Sequence, residues 1–131
     1  MYVMRILHPE GWPRPRGYAN GIAAEGRLVF VAGQIGWDES QVFRSDDLVE
    51  QVRQALKNTL AVLAEAGAGP EQVVRMTWYI TDKRDYLDRS KEIGAVYRAL
   101  MGRHYPAMAM VEVSALMEDR AKVEIETTAV L

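Results

Sequence analysis

Two glutamates near the end of the chain are the first candidates for chemistry. Glu124 and Glu126 stand two apart in a run typical of a β-strand, so both carboxylates would lie on the same face. A carboxylate there can hold and orient a water molecule for attack. The alternative is that both are solvated or paired with Lys122 or Arg120. The spacing alone favours this alternative.

His104 is the side chain best suited to proton transfer near neutral pH. It lies at a predicted helix-to-strand junction, where a lone histidine is more often structural or solvated. His104, His8 and the scattered carboxylates do not have the spacing of a metal site, so we expect no metal. The chain contains no cysteine, which excludes a cysteine nucleophile, disulfides and iron–sulfur clusters.

Length and composition indicate one folded domain over residues 1–131, with 49% hydrophobic and 26% charged residues. The formal net charge of -2 argues against a nucleic-acid partner. No apolar run approaches the ~20 residues of a membrane helix, and residues 1–8 lack the features of a signal peptide. We therefore expect a cytoplasmic protein.

The hydrophobic pattern predicts an α+β fold in the order β-β-α-β-α-β-β, a mixed sheet with both helices on one face. Segments 17–22 and 28–35 are predicted to form a hairpin. A helix should begin after the capping residues Ser45, Asp46 and Asp47 and end before Gly67. The other predictions are a strand over 73–81, a helix from Tyr86 or Leu87 to about Met101, and strands over 107 to about 115 and 121–130.

The strand that begins at Ala107 alternates between two kinds of side chain. Met108 and Met110 fall on one side, and alanines and valines fall on the other. We expect the alanine and valine side to be the helix-covered core. The methionine side should meet another subunit, because large apolar patches are unusual on monomers.

Several short motifs in order resemble those of the Rid family (RidA/YjgF, the reactive-intermediate deaminases). They are Gly17-Tyr18 with Gly21, the strand 30–35, a helix carrying Tyr97, Tyr105-Pro106-Ala107 with the Val-Glu-Val of 111–113, and the Glu-Ile-Glu of 124–126. Each motif is weak alone, but the ordered set is specific and spans nearly the whole chain. The resemblance implies a YjgF/chorismate-mutase-like fold that assembles as a homotrimer around a central barrel, with small-molecule pockets at the subunit interfaces.

Family members with the full motif hydrolyse imines and enamines to ammonia and a 2-keto acid, without a metal or organic cofactor. The resemblance makes Glu124 the catalytic residue that holds the attacking water. Gly33 would let a substrate approach the backbone, or else mark a strand bulge. The substrate-binding positions that the resemblance implies are Tyr18, Ala32, Gly33, Trp37, Gly94, Ala107, Met108 and Ala109.

Met108 is the main departure from the family pattern. It stands where the family has an arginine that grips the substrate carboxylate through two charge-assisted hydrogen bonds. Losing a contact of ~2–5 kcal/mol would lower affinity for small imino acids by about 30- to several-thousand-fold. Gly94 stands where deaminase-type members carry asparagine, and Ala32 where the family often has a hydroxyl. The candidates for a compensating cation are Arg14, Arg16 and Arg103, each of which alone is more simply a surface charge.

Three functions remain open from the sequence. The first is a Rid-family hydrolase acting on an imine or enamine larger or more apolar than 2-aminoacrylate, with aminomuconate-type deaminases as plausible relatives. The second is a non-catalytic trimer that binds a small metabolite. The third is the ribonuclease activity attached to some members of this endoribonuclease L-PSP-like family. The acidic balance and the lack of a basic stripe with interleaved aromatics argue against the ribonuclease.

Overall fold

The fold of the chain was analysed in a computed structural model, which describes residues 3–131. Met1 and Tyr2, on which the expectation about a signal peptide partly rests, lie outside the described residues. The strands are β1 Val3–Leu7, β2 Gly21–Glu25, β3 Leu28–Ile35, β4 Val73–Ile80, β5 Ala107–Glu112 and β6 Val123–Val130. The helices are α1 Leu48–Glu65, α2 Lys83–Asp88 and α3 Ser90–Met101, and a 3-10 turn covers Pro70–Gln72.

The main sheet has four strands in the order β3-β6-β4-β5. β4 and β5 are parallel, and the other neighbours are antiparallel, which confirms the predicted mixed sheet. β1 and β2 form a separate two-stranded sheet. Within residues 3–131, no helix is long and apolar enough to span a bilayer.

Helix α1 begins and ends as predicted. The Asp47 carboxylate accepts a hydrogen bond from the Glu50 N–H, which satisfies one of the free donors of the first turn. The helix ends at Glu65, and Gly67 follows with φ of 76°, a conformation that glycine adopts without strain. Val52 and Leu56 of α1 and Val96 of α3 are buried in the core, so both helices cover the same face of the sheet.

The second predicted helix is two helices, and it starts earlier than expected. The Asp82 carboxylate accepts from the Asp85 N–H, so α2 begins at Lys83 within a segment that the sequence indicated as a polar turn. The chain breaks at Arg89, whose ψ of 19° departs from helical geometry, and α3 continues to Met101. The missed signal was the cap itself, since an aspartate followed by polar residues suits a helix start as well as a turn.

The predicted N-terminal hairpin is wrong. β2 pairs with β1, with Ile22 opposite Ile6, whereas β3 pairs with β6, with Phe30 opposite Thr128. Arg27 and Leu131 exchange backbone hydrogen bonds of 2.7 and 2.9 Å at the start of β3. The turn between β2 and β3 is therefore hydrogen-bonded to Leu131, and the two strands pair with β1 and β6 and not with each other.

The side of β5 that faces the helices is also the opposite of the one predicted. Met108 and Met110 lie beside Met76 and Trp78 of the parallel neighbour β4. Met76 is 0% exposed and Trp78 1% exposed under the helices. The methionine side therefore faces the helices, while the alanines and Val111 face the uncovered side. Alanine and valine do not by themselves identify a core face, and the register with the neighbouring strand decides it.

The other side of the main sheet carries no helix, and we call it the open face. It presents Thr77 and Tyr79 of β4 and, directly opposite them, Glu126 and Glu124 of β6. Phe30 of β3 lies on the same face and is 72% exposed. The open face thus combines carboxylates and hydroxyls with exposed apolar side chains.

Candidate functional site

A pocket of about 530 Å³ opens on the helix side of the sheet, where α3 passes over β4 and β5. It contains three positions that the family resemblance selected: Tyr18, Gly94 and Met108. None of its lining residues is an aspartate or a glutamate. The remaining lining residues are Arg16, Gly17, Trp78, Tyr86, Ser90, Ile93, Tyr97, Arg98, Tyr105 and Met110. We call this cavity the α3 pocket.

The segment before β2 closes one side of the α3 pocket. The Ala19 N–H donates to the Pro106 carbonyl at 2.9 Å, and Ala19 forms a parallel bridge with Ala107 at the start of β5. Pro106 has no N–H of its own, which suits the first position of an edge strand. These contacts place Tyr18 beside β5, so the sequence prediction that Tyr18 and Met108 share a pocket agrees with the geometry.

Stacked tyrosines form the aromatic wall of the α3 pocket. The rings of Tyr97 and Tyr105 lie 5.5 Å apart at an interplanar angle of 13°. The Tyr97 hydroxyl donates to the His104 carbonyl at 2.7 Å, and burial raises the pKa of Tyr97 and of Tyr86. Both phenols therefore stay neutral at physiological pH, and the wall offers flat apolar rings.

His104 has a structural contact that accounts for its position. Its Nε2 lies 2.8 Å from the Val73 carbonyl, so this nitrogen carries the proton and donates. The ring lines a neighbouring pocket of about 550 Å³, together with Arg14 and Arg103. These two predicted cations therefore lie outside the α3 pocket, whereas Arg16 lines it. An acid–base role for His104 stays a prediction.

A second group of predicted site residues meets on the open face. The register between β3 and β6 shifts between Val31 and Gln34, so Ala32 and Gly33 form a bulge opposite one residue of β6. A Cβ on Gly33 would lie 2.7 Å from Cδ of Glu124 and closer still to its Oε2. Gly33 is therefore both the strand bulge and a point of close approach, and the group that approaches it is the Glu124 carboxylate.

The two glutamates of β6 differ in their partners. The Tyr79 hydroxyl donates to Glu126 Oε1 at 2.7 Å, and this hydrogen bond is the main reason that the pKa of Tyr79 is raised. Arg120 pairs instead with Asp46 at 2.9 Å, so pairing with Arg120, one of the alternatives that the sequence left open for the glutamates, is not found among residues 3–131. Across residues 3–131, neither Glu124 nor Lys122 belongs to an ion pair.

Trp37 and the alanines of β5 lie away from the α3 pocket. The Trp37 ring packs on Phe43 with centroids 5.8 Å apart, and the Asn58 amide donates to the Trp37 carbonyl at 2.7 Å. Ala107 and Ala109 belong to the open-face side of β5, opposite the side of Met108. The binding roles of these three residues stay predictions.

Arg98 is a pocket residue that the sequence analysis missed. It lies four residues after Gly94, one turn along α3, so both share one helix face. That spacing was the available signal, since a residue at i+4 reaches back over a glycine without obstruction. Within the described part of the chain, no group of three or more His, Cys, Asp or Glu side chains could hold a metal.

The α3 pocket and the open-face glutamates, on a mixed sheet with helices over one face, define an α+β protein of the class that the sequence motifs suggested. The model of the family described as Endoribonuclease L-PSP matches residues 13–131. The chain belongs to this family, known also as the Rid or YjgF family.

Known relatives resemble the chain over nearly its full length. A RutC family protein of Pyrococcus abyssi is 34% identical over 95% of this chain and 94% of its own. The 2-iminobutanoate/2-iminopropanoate deaminase of Salmonella typhimurium is 33% identical over 98% of each chain. The crystal structure of YyfB from Yersinia pestis, a Rid protein of unknown function, superposes with a TM-score of 0.87 at 30% identity over 98% of each chain.

Proposed function

We propose that this protein hydrolyses an imine or enamine metabolite and releases ammonia, at sites formed between copies of the chain. The Salmonella relative, whose name describes a deaminase of two small imino acids, supports the reaction class. The observation that carries the proposal is the Glu124 carboxylate, which lies against the Gly33 bulge without an ion-pair partner within the described residues. Such a carboxylate is free to hold a water molecule.

The reaction needs little from the protein. Protonation of the imine nitrogen makes the adjacent carbon electrophilic, and the oxygen of a water molecule then bonds to that carbon. Glu124 orients the water, takes one of its protons and passes it to the nitrogen. The carbon–nitrogen bond then breaks, ammonia leaves as the carbonyl forms, and the remaining hydroxyl proton returns to solvent, which also supplied the proton on the imine.

Two copies of the chain are needed to bring Glu124 to the α3 pocket. Met108 lies beside Met76 on the helix side of the sheet, whereas Glu124 lies opposite Tyr79 on the open face. The two half-sites of one chain are therefore separated by the sheet. A trimer in which the open face of each copy meets the β5 edge of the next, beside the α3 pocket, would also cover Phe30, which is 72% exposed, and Val111, which is 43% exposed. Sedimentation equilibrium should give three times the monomer mass.

The test of the reaction compares two glutamates on one strand. Imino acids made in situ by a burst of amino-acid oxidase should release ammonia faster with the protein than in buffer. Glu124→Gln should lower that rate by about 10²-fold or more. Glu126→Gln, which alters a carboxylate already bonded to Tyr79, should retain most of it. An unchanged rate in the Glu124 variant would remove this residue from the mechanism.

A non-catalytic metabolite-binding trimer is the second candidate, and Met108 favours it. Methionine gives an apolar wall where the resemblance expects an arginine that grips a carboxylate. If that arginine alone limits turnover of small imino acids, Met108→Arg should create or raise activity on 2-iminopropanoate. Tight metabolite binding with no hydrolysis of any imine would select this candidate over the enzyme.

A further inference from the structure

The α3 pocket is positively charged although Met108 contributes no charge. Arg16 and Arg98 line it, and no acidic residue does. Neither guanidinium belongs to an ion pair among residues 3–131. An arginine cannot lose its proton at physiological pH, so two uncompensated positive charges border the cavity. A ligand with a negative charge would complement them.

Gly94 creates the room that the Arg98 guanidinium occupies. A Cβ at position 94 would lie 3.2 Å from Nη1 and 4.0 Å from Cζ of Arg98. Apart from chain neighbours and the backbone of α3 itself, no other atom comes within 4 Å of that point. The glycine lowers helix propensity in the middle of α3, and no neighbouring element packs into the space it leaves. The Arg98 guanidinium lies there instead.

The rest of the cavity suits an apolar, flat body. Tyr97 and Tyr105 stack in one wall, and Trp78, Met108 and Met110 lie around them. An aromatic ring gains most from such a wall by offset or edge-on packing, and the thioethers of methionine adapt to its outline. A three-carbon imino acid would leave most of a volume of about 530 Å³ unfilled.

We propose that Arg98, placed over Gly94, is the carboxylate-binding residue of this chain, and that the ligand is a 2-imino acid with an aromatic side chain. The cation that the family pattern places on β5 would thus come from α3, while Met108 becomes part of the wall against the ring. Arg16 supplies the second positive charge at the rim. This inference rests on the proposed function for the imine, but the recognition of an aromatic carboxylate can be measured without any reaction.

The experiment measures binding of unreactive probes by calorimetry. The probes are phenylpyruvate, pyruvate, and phenylacetone, which keeps the ring and ketone of phenylpyruvate but lacks its carboxylate. We expect phenylpyruvate to bind at least about 10-fold more tightly than either of the others, since it alone uses both the charge and the aromatic wall.

Variants then assign the charge to one residue. Arg98→Gln should weaken phenylpyruvate binding by about 10-fold or more and leave phenylacetone unchanged. Gly94→Asn, which keeps both Arg16 and Arg98, should also weaken phenylpyruvate binding by about 10-fold or more, because the asparagine side chain takes the space of the Arg98 guanidinium. Arg84→Gln, which removes the same charge from α2 outside the pocket, is the matched control. Circular dichroism checks that each variant retains the helix content of the parent protein.

The outcomes separate this inference from the proposed function. Phenylpyruvate binding no better than pyruvate, or no better than phenylacetone, would overturn it, as would full affinity in the Arg98 variant. If Arg98→Gln still hydrolysed an aromatic imino acid with unchanged KM, the proposed hydrolase activity would be supported. The proposed role of Arg98 in carboxylate binding would be rejected. Binding that depends on Arg98 without hydrolysis of any imine would support the ligand class and reject the reaction.

Discussion

The two faces of the main sheet divide the chemistry of this protein between them. The helix-covered face holds a pocket with two arginines, stacked tyrosines and no carboxylate. The open face holds two carboxylates, the hydroxyls of Thr77 and Tyr79, the Arg75 guanidinium and a glycine bulge, with no helix over them. The first suits an anion with an apolar body, and the second carries the carboxylate proposed to hold the water.

In the proposed mechanism, this division leaves one chain with an incomplete site. A strand directs successive side chains to opposite faces, and the register of the sheet leaves Met108 on the helix side and Glu124 on the open face. Under the proposed mechanism, a second copy would supply the carboxylate that the α3 pocket lacks, and the same association would cover Phe30 and Val111. The following variants perturb one face while leaving the other intact.

The largest expected effect comes from adding one methyl group to the open face. In Gly33→Ala the new Cβ would overlap the Glu124 carboxylate, which must then turn away from the bulge. Imine hydrolysis should fall by about 10²–10⁴-fold, the range of a lost acid–base group. Ammonia release with an in situ imine measures it. Phenylpyruvate binding in the α3 pocket should stay within a factor of about three, as expected for a change on the other face.

The neighbouring residue Ala32 provides a control for Gly33→Ala. Ala32→Ser changes the same bulge without adding a branch toward Glu124, and it restores the hydroxyl that the family resemblance expects there. We expect hydrolysis at least as fast as in the parent protein. Equal losses in Gly33→Ala and Ala32→Ser would mean that the bulge itself, and not the Glu124 carboxylate, limits the reaction.

The sequence predicted those features whose signals are local. Asp47 and Gly67 bracket α1 because caps and αL glycines act within a few residues. The buried positions of α1, such as Val52 and Leu56, follow from helical periodicity. The ordered motifs then indicated the family and the fold, and three of the positions that they selected, Tyr18, Gly94 and Met108, line one pocket.

Features that depend on distant partners were missed. β2 pairs with β1 and β3 with β6, pairings that adjacent strands with a short turn do not suggest. The buried side of β5 depends on its register with Met76 and Trp78, which a strand of alanine, valine and methionine leaves undecided. The proposed role of Arg98 depends on the space left by the missing Cβ of Gly94. A hydrophobic pattern in the sequence does not reveal such a space.

A pair of substitutions on β4 tests which face is covered. Met76 is 0% exposed on the helix side, and Met76→Ala should lower the free energy of unfolding by about 2–5 kcal/mol. Thr77, the next residue, lies on the open face, and Thr77→Ala should cost about 0.5 kcal/mol or less. Urea unfolding at one fixed protein concentration measures both. A reversed order would mean that the face assignment of the sheet is wrong.

The helix layer should respond to acid through Asp47. This carboxylate caps α1 and pairs with Arg89 at the junction of α2 and α3, and Arg89 is the main cause of its lowered pKa. Asp47→Ala should cost about 1 kcal/mol at neutral pH. Because the pKa of Asp47 is lower in the folded state, this carboxylate stabilises the folded protein at pH values above its unfolded pKa, which is near 3.8. This contribution is lost as pH falls through the folded pKa. The parent and the variant should therefore converge in stability below about pH 4, and a constant difference would contradict the ion pair.

The smallest effect lies on the open face and appears in alkali. The hydrogen bond from Tyr79 to Glu126 raises the pKa of Tyr79 above its ordinary 10.0, and the charge of Glu124 contributes less. Because the pKa of Tyr79 is higher in the folded state, this group contributes to the stability of the folded state below pH 10. The contribution is lost as pH rises through the folded pKa. Stability of the parent should thus fall more steeply above pH 10 than that of Tyr79→Phe.

Ultraviolet difference titration of the parent against Tyr79→Phe isolates this single phenol. Glu126→Gln should bring the Tyr79 titration back toward the ordinary range, because it replaces a charged acceptor with a neutral one and removes the larger charge. Glu124→Gln should shift it less. If the two glutamine variants shifted Tyr79 equally, Glu124 would be as close to the hydroxyl as Glu126. The open face would then hold a coupled carboxylate pair, and a single free carboxylate could no longer be assigned to the water.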